Sequence, residues 1–162
     1  MKSRNSFLFQ EPGSLVDGDL QLVLTDRFPG DPMRDYVPAY RFAMCVAEGA
    51  ERAGYIELRV GNTPDLLLYA GHIGYRVEPP FRGRHYAARS CRLILPLARH
   101  HGLDPLWITC NPDNIASRKT LELTGAQFVE IVPIPRQHEM YRDGERAKCR
   151  YRLDLHDMVP GS

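Results

Sequence analysis

The segment Ala70–Ala88, AGHIGYRVEPPFRGRHYAA, decides the fold. Polar and apolar side chains alternate from His72 to Glu78, which is the period-two pattern of a β-strand. Two consecutive prolines end that strand because neither can donate a hydrogen bond to a neighbouring strand. After a short turn that contains Gly83, apolar residues recur at helical spacing from Ala87 onward. The segment therefore predicts a strand, a turn and a helix in direct succession.

The turn between this strand and this helix suits an anion. The first N–H groups of a helix have no acceptor within the helix and carry the positive end of its dipole, so a phosphate can bind there. Arg82 and Arg84 add positive charge beside those groups. On its residues alone, the turn is either a phosphate site or a surface turn with two solvated arginines.

The hexapeptide 82–87 resembles motif A of the GCN5-related N-acetyltransferase (GNAT) superfamily, whose pattern is Gln or Arg, two variable residues, Gly, one variable residue, then Gly or Ala. Arg82 takes the first position and Ala87 the last, whereas His85 stands where the family has glycine. In the family, backbone amides of this turn hold the pyrophosphate of acetyl-coenzyme A. The resemblance therefore implies a cofactor-binding turn formed by Arg82, Gly83, Arg84, His85, Tyr86 and Ala87.

A second segment is similar to motif B of the same superfamily. A strand pattern over 104–110 leads to Asn111 and then to a short helix over 114–124. In the family an Asn opens this helix, and a small residue three places later faces the cofactor; Asn114 and Ser117 occupy those positions. The resemblance implies that Asn111, Asn114 and Ser117 bind the cofactor. Asn111, Asp113 or Asn114 is also expected to cap the helix.

The resemblance also implies catalytic roles. The pantetheine arm would lie along the strand at Tyr75 and Val77, with a backbone N–H near Val77 polarising the thioester carbonyl. Many members have a tyrosine on the second helix that protonates the thiolate, but that position here is Leu121. The arrangement resembles the branch that acetylates ribosomal-protein N-termini, in which a serine at the position of Ser117 lies near the sulfur. Ser117 is therefore a catalytic candidate, or only a small residue packed under its helix.

The general base has several candidates. His72 precedes the cofactor edge of the strand, and an imidazole has a pKa suited to deprotonating an ammonium. Glu57, Glu139 and Glu145 compete with it. Each of these side chains could equally be hydrogen-bonded or solvated without a catalytic role, and ordered water could take the proton instead.

Composition bounds the class of protein. The chain has 162 residues, of which 43% are hydrophobic and 25% charged, as expected of one globular domain. We expect a single domain over 1–162, with an irregular lead-in at 1–18 and a tail at 157–162. The 21 basic and 20 acidic side chains nearly cancel, which argues against nucleic-acid binding. Without a long apolar run or a signal peptide, we expect no membrane association and a cytoplasmic location.

The four cysteines are widely spaced and lie within apolar patterns: Cys45, Cys91, Cys110 and Cys149. We expect them to be buried and reduced, and we expect no metal site, because no pair has metal-ligand spacing.

The expected fold is α/β (α+β), with a mixed, mostly antiparallel sheet of about seven strands flanked by helices. The strands are predicted at 19–27, 36–47, 53–60, 66–77, 104–110, 127–132 and 147–155, and the main helix at 84–101, with a kink or break near Arg92 caused by Pro96. Family members usually have helices between the first two strands, but only about 8 residues are available here. The acceptor side is therefore expected to be open, or closed by a second subunit in a homodimer.

The sequence thus predicts an N-acetyltransferase that moves an acetyl group from acetyl-CoA to a primary amine by direct attack, without a metal. The acceptor is a small-molecule amine or a protein N-terminus. Two alternatives stay open: a non-catalytic module that binds acyl-CoA, and a phosphate site for an unrelated nucleotide.

Overall fold

The computed structural model describes residues 7–156 and consists of one eight-stranded sheet with helices on its faces. The strands are β1 (Leu15–Asp17), β2 (Leu20–Phe28), β3 (Ala39–Val46), β4 (Glu51–Arg59), β5 (Ile73–Val77), β6 (Leu106–Cys110), β7 (Gln127–Pro133) and β8 (Ala147–Leu153). The α-helices are α1 (Tyr86–His100), α2 (Ile115–Leu123) and α3 (Glu139–Arg142).

The sheet has the strand order β1-β2-β3-β4-β5-β6-β8-β7. All neighbouring strands are antiparallel except β5 and β6, which are parallel and joined by α1. The predicted mixed, mostly antiparallel α/β fold is therefore confirmed. β1 and β7 are the two edge strands, and self-association through a strand edge stays a prediction.

Helix α1 supplies one side of the core. Its buried side chains include Cys91 and Ile94, which share a hydrophobic cluster with Ile56 and Leu58 of β4. The expected break near Arg92 is wrong, because α1 runs without interruption through residue 96. That proline is exposed, so its missing hydrogen bond faces solvent and not the core. No helix among residues 7–156 is long and apolar enough to cross a lipid bilayer.

The strand predicted over 66–77 is wrong in its first half. Leu66–Ala70 form a wide helical turn, and only Ile73–Val77 pair as a strand. Thr63 explains the difference, because its hydroxyl accepts from the N–H of Leu66 at 3.2 Å and starts the turn. Two further short elements are additions: β1 lies inside the expected irregular lead-in, and α3 lies inside the expected loop between β7 and β8.

The connection between β2 and β3 has no α-helix, as expected. Residues 29–38 contain one short 3-10 turn at Pro32–Arg34. The sheet face opposite α1 therefore lacks the cover that helices here would provide, and it carries charged side chains such as Arg41, Glu57 and Arg59. All four cysteines are buried and free, which confirms that expectation.

Candidate active site

β5 and β6 separate almost as soon as they meet. Their register consists of one pair, Ile73 with Ile108. Just before it, Gly71 packs so closely on β6 that a Cβ there would lie 3.1 Å from the backbone nitrogen of Thr109. Beyond this junction, residues 74–77 of β5 have no partner strand on the β6 side. We call the resulting gap the cleft.

The backbone of β5 offers hydrogen-bonding groups to the cleft. The N–H of Glu78 donates to Ala53 of β4 at 2.7 Å. Because successive peptide groups point to opposite edges of a strand, Tyr75 and Val77 direct their backbone groups into the cleft. The carbonyl of Val77 accepts from Nε of Arg82 at 2.9 Å. The N–H of Val77 is therefore placed to meet a ligand that enters the cleft.

The turn after β5 exposes a row of N–H groups. Gly83 and His85 have φ angles of +90° and +61°, so the chain turns sharply into α1. The N–H of Arg89 is the first to bond back to this turn, at 2.9 Å to the carbonyl of His85. Within the described part of the chain, the N–H groups of residues 83–88 have no acceptor. The positive φ of His85 also explains why the family pattern has glycine there.

The arginines near the turn differ in their availability. Arg82 is held by Val77, and Arg89 forms ion pairs with Asp17 at 2.8 Å and Asp19 at 2.7 Å. Arg84 is exposed and makes no hydrogen bond or ion pair with any residue in 7–156. Arg84 is therefore the arginine of this turn that a phosphate could recruit without breaking a contact.

The side chains of Tyr86 and Ala87 are buried beneath the turn, so only their backbones face outward. The hydroxyl of Tyr86 donates to Oδ2 of Asp19 at 2.6 Å. This hydrogen bond, together with the one from Arg89, lowers the pKa of Asp19. The contact ties the start of α1 to the segment between β1 and β2.

A pair of hydroxyls joins β5 to α2 across the cleft. Oη of Tyr75 lies 3.0 Å from Oγ of Ser117. Ser117 is positioned by the predicted cap, since its N–H donates to Oδ1 of Asn114 at 3.1 Å, which confirms Asn114 as the capping residue. Burial raises the pKa of Tyr75 above its ordinary value of 10.0. Leu121 is fully buried in the core.

The sequence analysis predicts a role for Tyr75 only through the strand along which the cofactor would lie. It predicts no role for the hydroxyl of this residue. Tyr75 alternates with Gly74 and Arg76 and is paired with the buried Ile56 of β4. Its side chain therefore lies on the α1 and α2 side of the sheet. That alternation was visible in the sequence, but its meeting with Ser117 was not.

Asn111 follows β6 at the mouth of the cleft. Its Oδ1 is buried and has no hydrogen-bond donor within residues 7–156. A buried acceptor without a partner is costly, because it gives up its bonds to water without replacing them. Asn111 therefore keeps an unused acceptor directly after β6.

His72 does not fit the role of a base. It is 0% exposed, its Nδ1 accepts from the N–H of Trp107 at 2.9 Å, and its Nε2 lies 3.0 Å from the carbonyl of Gly61. Burial lowers its pKa to about 4, which keeps the ring neutral. Both ring nitrogens are thus occupied, and the imidazole ties the 61–62 turn to β6.

The three glutamates that were candidate bases differ in whether their carboxylates are already ion-paired. Glu57 is bound by Arg41, whose Nη2 lies 2.5 Å from Oε2, and Glu145 is bound by Nζ of Lys148 at 2.5 Å. Glu139 is exposed, and no ion pair within the described chain involves it. Of the expected bases, Glu139 is the one with a carboxylate that a new ligand could reach freely.

A pocket of about 490 Å³ lies on the uncovered side of the sheet. Its walls come from residues 28–39, from 59–70 and from 138–140 at the start of α3. Two of its lining residues contact each other, since Nε2 of His138 lies 2.5 Å from Oδ1 of Asp65. We call this the lateral pocket; Glu139 is one of its lining residues.

Three possible metal ligands gather elsewhere, at Asp104, Asp154 and His156. Nδ1 of His156 lies 3.2 Å from Oδ2 of Asp104, and the N–H of Leu155 donates to Asp104 at 2.9 Å. These contacts hold residues 155–156 against the loop before β6.

Comparison with solved structures places this architecture among acetyltransferases. RimL, a ribosomal L7/L12 alpha-N-protein acetyltransferase, in complex with coenzyme A, matches with a TM-score of 0.63 at 14% identity, over 87% of this chain and 97% of RimL. A ribosomal-protein-S5-alanine acetyltransferase from Vibrio fischeri matches with a TM-score of 0.58 at 16% identity, over 75% and 64% of the two chains.

A third structure, the microcin self-immunity acetyltransferase MccE bound to acetyl-CoA and AMP, matches with a TM-score of 0.55 at 16% identity, over 72% and 61% of the two chains. No curated protein sequence matches the chain. The family model described as acetyltransferase (GNAT) domain matches residues 20–127. Since that match spans well over half of the sequence, the chain belongs to the GNAT family of acetyltransferases.

Proposed function

We propose that the protein transfers an acetyl group from acetyl-CoA to a primary amine by direct attack. One observation carries the proposal: the unpaired edge of β5 leads directly to the N–H groups of residues 83–88, which have no acceptor in the described chain. This combination suits a ligand with a hydrogen-bonding arm and a diphosphate. RimL and MccE, which share the fold, are described with coenzyme A and with acetyl-CoA respectively.

The residues of the cleft fit acetyl-CoA. The N–H groups at the start of α1 would bind its pyrophosphate, and Arg84 would add charge. The unpartnered Oδ1 of Asn111 would accept from an amide N–H of the pantetheine arm. The N–H of Val77 would donate to the thioester oxygen, which gains negative charge as the amine attacks.

The hydroxyls of Tyr75 and Ser117 would protonate the thiolate in the last step of the transfer. Acetyl-CoA provides an activated acyl group with a thiolate leaving group. The amine nitrogen forms a bond to the carbonyl carbon, the C–S bond breaks, and the thiolate sulfur takes a proton from the hydroxyl pair. Ser117 would contact the sulfur and pass a proton to it, Tyr75 would donate its own proton to Ser117, and the resulting tyrosinate would take a proton back from solvent water. The raised pKa of Tyr75 keeps the phenol protonated in the resting enzyme.

The proton lost by the amine leaves by another route. His72 is buried and Glu57 is ion-paired, so neither is assigned as the base. We assign proton removal to water that enters through the lateral pocket. The proposal uses no metal, and four buried, free cysteines are consistent with a reducing cytoplasm.

Calorimetry with acetyl-CoA, followed by a thiol-release assay over a panel of amines, tests the proposal. We expect acetyl-CoA to bind and at least one amine to accelerate thiol release. ATP should compete poorly, because it lacks the arm that pairs with β5. Binding without release on any amine would favour a non-catalytic module, and equal competition by ATP would favour an unrelated nucleotide site.

The arginine of the turn offers a matched comparison. Arg84→Ala should weaken acetyl-CoA binding by roughly 5- to 20-fold, as expected when one charge-assisted hydrogen bond to a phosphate is lost. Arg136→Ala removes another exposed arginine, on the connection after β7, which forms no hydrogen bond or ion pair with residues 7–156, and it should leave the affinity unchanged. Equal affinities for both variants would argue against phosphate binding at the turn.

A further inference from the structure

We infer that the lateral pocket binds the acceptor, and that this acceptor is a cationic primary amine with an apolar body and no carboxylate beside the amine. The inference rests on the proposed function, because it assigns the class of amine that receives the acetyl group. Its argument comes from the position, the lining and the charges of the pocket.

The lateral pocket reaches β5 next to the cleft. Its lining residue Arg59 donates from Nη1 to the carbonyls of Ala70 at 2.9 Å and Gly71 at 3.2 Å, at the junction of β5 and β6. The guanidinium of Arg59 also packs directly on Gly74, where an added Cβ would lie only 2.4 Å from Nη2. Arg59 therefore links the pocket to the start of β5, and we place the amine on the side of that strand from which it can extend towards the thioester.

Much of the pocket lining is apolar, and its two aromatic side chains are exposed. Phe28 and Tyr36 keep 42% and 59% of their surface exposed, and Met140 and Leu66 also line the pocket. Exposed aromatic rings grouped around a concavity are typical of a binding surface. The volume of about 490 Å³ is that of a site for a small organic molecule or the first residues of a peptide. Aromatic faces also attract cations.

The charges of the lining favour an ammonium. Asp35 and Glu139 both line the pocket, and neither forms an ion pair within residues 7–156. The positive side chains are already engaged: Arg59 binds two carbonyls and lies 3.5 Å from Oε1 of Glu57, and His138 binds Asp65. An ammonium thus finds unpaired carboxylates, whereas a carboxylate on the ligand would find no unpaired cation there.

This balance separates classes of amine. A free amino acid carries a carboxylate two bonds from its amine, and the unpaired carboxylates of Asp35 and Glu139 would repel that charge. A peptide N-terminus, an amino-acid amide or an arylalkylamine carries the same ammonium without that penalty. The pocket therefore selects amines that have lost or never had an adjacent acid.

The test compares matched acceptors with full-length protein. 2-Phenylethylamine and phenylalanine have the same ring and amines of similar basicity, and they differ in the carboxylate. We expect kcat/KM for thiol release to be at least about 3-fold higher with 2-phenylethylamine, since the carboxylates of the pocket repel the acid of phenylalanine. Equal rates with the two acceptors would overturn the inference.

Variants locate the effect. Glu139→Gln and Asp35→Asn should each raise KM for 2-phenylethylamine about 3- to 10-fold, while the affinity for acetyl-CoA measured by calorimetry stays the same. Glu48→Gln, an exposed carboxylate in the turn between β3 and β4, is the control and should change neither quantity. An unchanged KM in both pocket variants would overturn the inference.

The same measurements separate this inference from the proposed function. If acetyl-CoA does not bind, the proposed function fails and the inference fails with it. If acetyl-CoA binds and amines with and without a carboxylate react equally, the proposed function stands and only the inference about the acceptor is overturned.

Discussion

Oη of Tyr75 lies 3.0 Å from Oγ of Ser117, although the two residues are 42 positions apart in the chain. Tyr75 comes from β5 and Ser117 from the first turn of α2, so the hydrogen bond spans the two sides of the cleft. The position where many family members have a tyrosine is occupied by Leu121, which is buried in the core. The fold thus brings a tyrosine hydroxyl to this region from a different element.

Removal of either hydroxyl should slow the chemical step. We expect Tyr75→Phe and Ser117→Ala each to lower kcat by about 10- to 100-fold, at the lower end of what general acids contribute, with the KM for acetyl-CoA changed less than about 3-fold. The double variant should be no slower than the worse single variant, because both act on one proton. Steady-state kinetics measure this, with Tyr55→Phe as the control on the opposite sheet face. Fully additive losses would contradict a shared role.

The buried His72 should make stability depend on pH. The folded protein holds this imidazole neutral with a pKa of about 4, whereas the unfolded chain binds a proton near its ordinary value of 6.5. Stability is therefore complete above pH 6.5 and decreases as the pH falls towards 4, by up to about 3 kcal/mol. Urea unfolding between pH 7 and pH 4 measures the change.

Two comparisons identify the group responsible for that pH dependence. In His72→Asn, which is less stable at neutral pH, the part of the slope due to this histidine should disappear. In His85→Asn the slope should persist, since His85 is exposed. An NMR titration that found the His72 imidazole protonating near pH 6.5 in the folded protein would refute this explanation.

The left-handed conformation of His85 predicts an unusual stabilising substitution. With φ at +61°, a side chain with a Cβ is strained, so His85→Gly should raise the free energy of unfolding by about 0.5–1 kcal/mol. His85→Val should lower it by about 1–2 kcal/mol, because a branched side chain tolerates this region least. Thermal unfolding distinguishes the two. The glycine variant should bind acetyl-CoA at least as tightly as the natural protein, and a loss of stability in it would count against the observed turn geometry.

Gly71 should be essential where β5 meets β6. An added Cβ would lie 3.1 Å from the nitrogen of Thr109 and from the carbonyl oxygen of Trp107, and φ is +77°. Gly71→Ala should therefore cost about 2–3 kcal/mol, of which roughly 1 kcal/mol is backbone strain. Gly144→Ala, with φ at +99° and no atom near the added Cβ, isolates that strain. Equal losses of stability in the two variants would show that the close contact between the strands is unimportant.

Much of the fold could be predicted because its signals are local. Alternation marked the strands, Asn114 marked the start of α2, and the turn at 82–87 was visible from its arginines and its glycine. The two wrong predictions, the strand over 66–70 and the break near Arg92, concern places where another interaction outweighed the local sequence pattern. The apolar run 66–70 leads directly into the alternating residues 72–78, and together they favour one strand, but Thr63 starts a helical turn within the run. Pro96 is tolerated in α1 because it faces solvent.

The candidate site was predictable only in part. The backbone of the turn and the cap at Asn114 depend on residues within a few positions of each other. The four expected bases could not be ranked in this way, since their fates depend on partners far along the chain. His72 is buried and accepts a hydrogen bond from the N–H of Trp107, so it is excluded as a base. Glu57 forms an ion pair with Arg41, and Glu139 lines the lateral pocket.

The sequence by itself determined the order of strand, turn and helix, the family, and the backbone groups available to a cofactor, because strand period, helix capping and glycine geometry act over a few residues. Tertiary structure alone decided which hydroxyl meets Ser117, which ionisable groups stay unpaired, and where the lateral pocket opens. Those features depend on contacts between segments tens of residues apart, and such contacts form only when the sheet has brought its strands together.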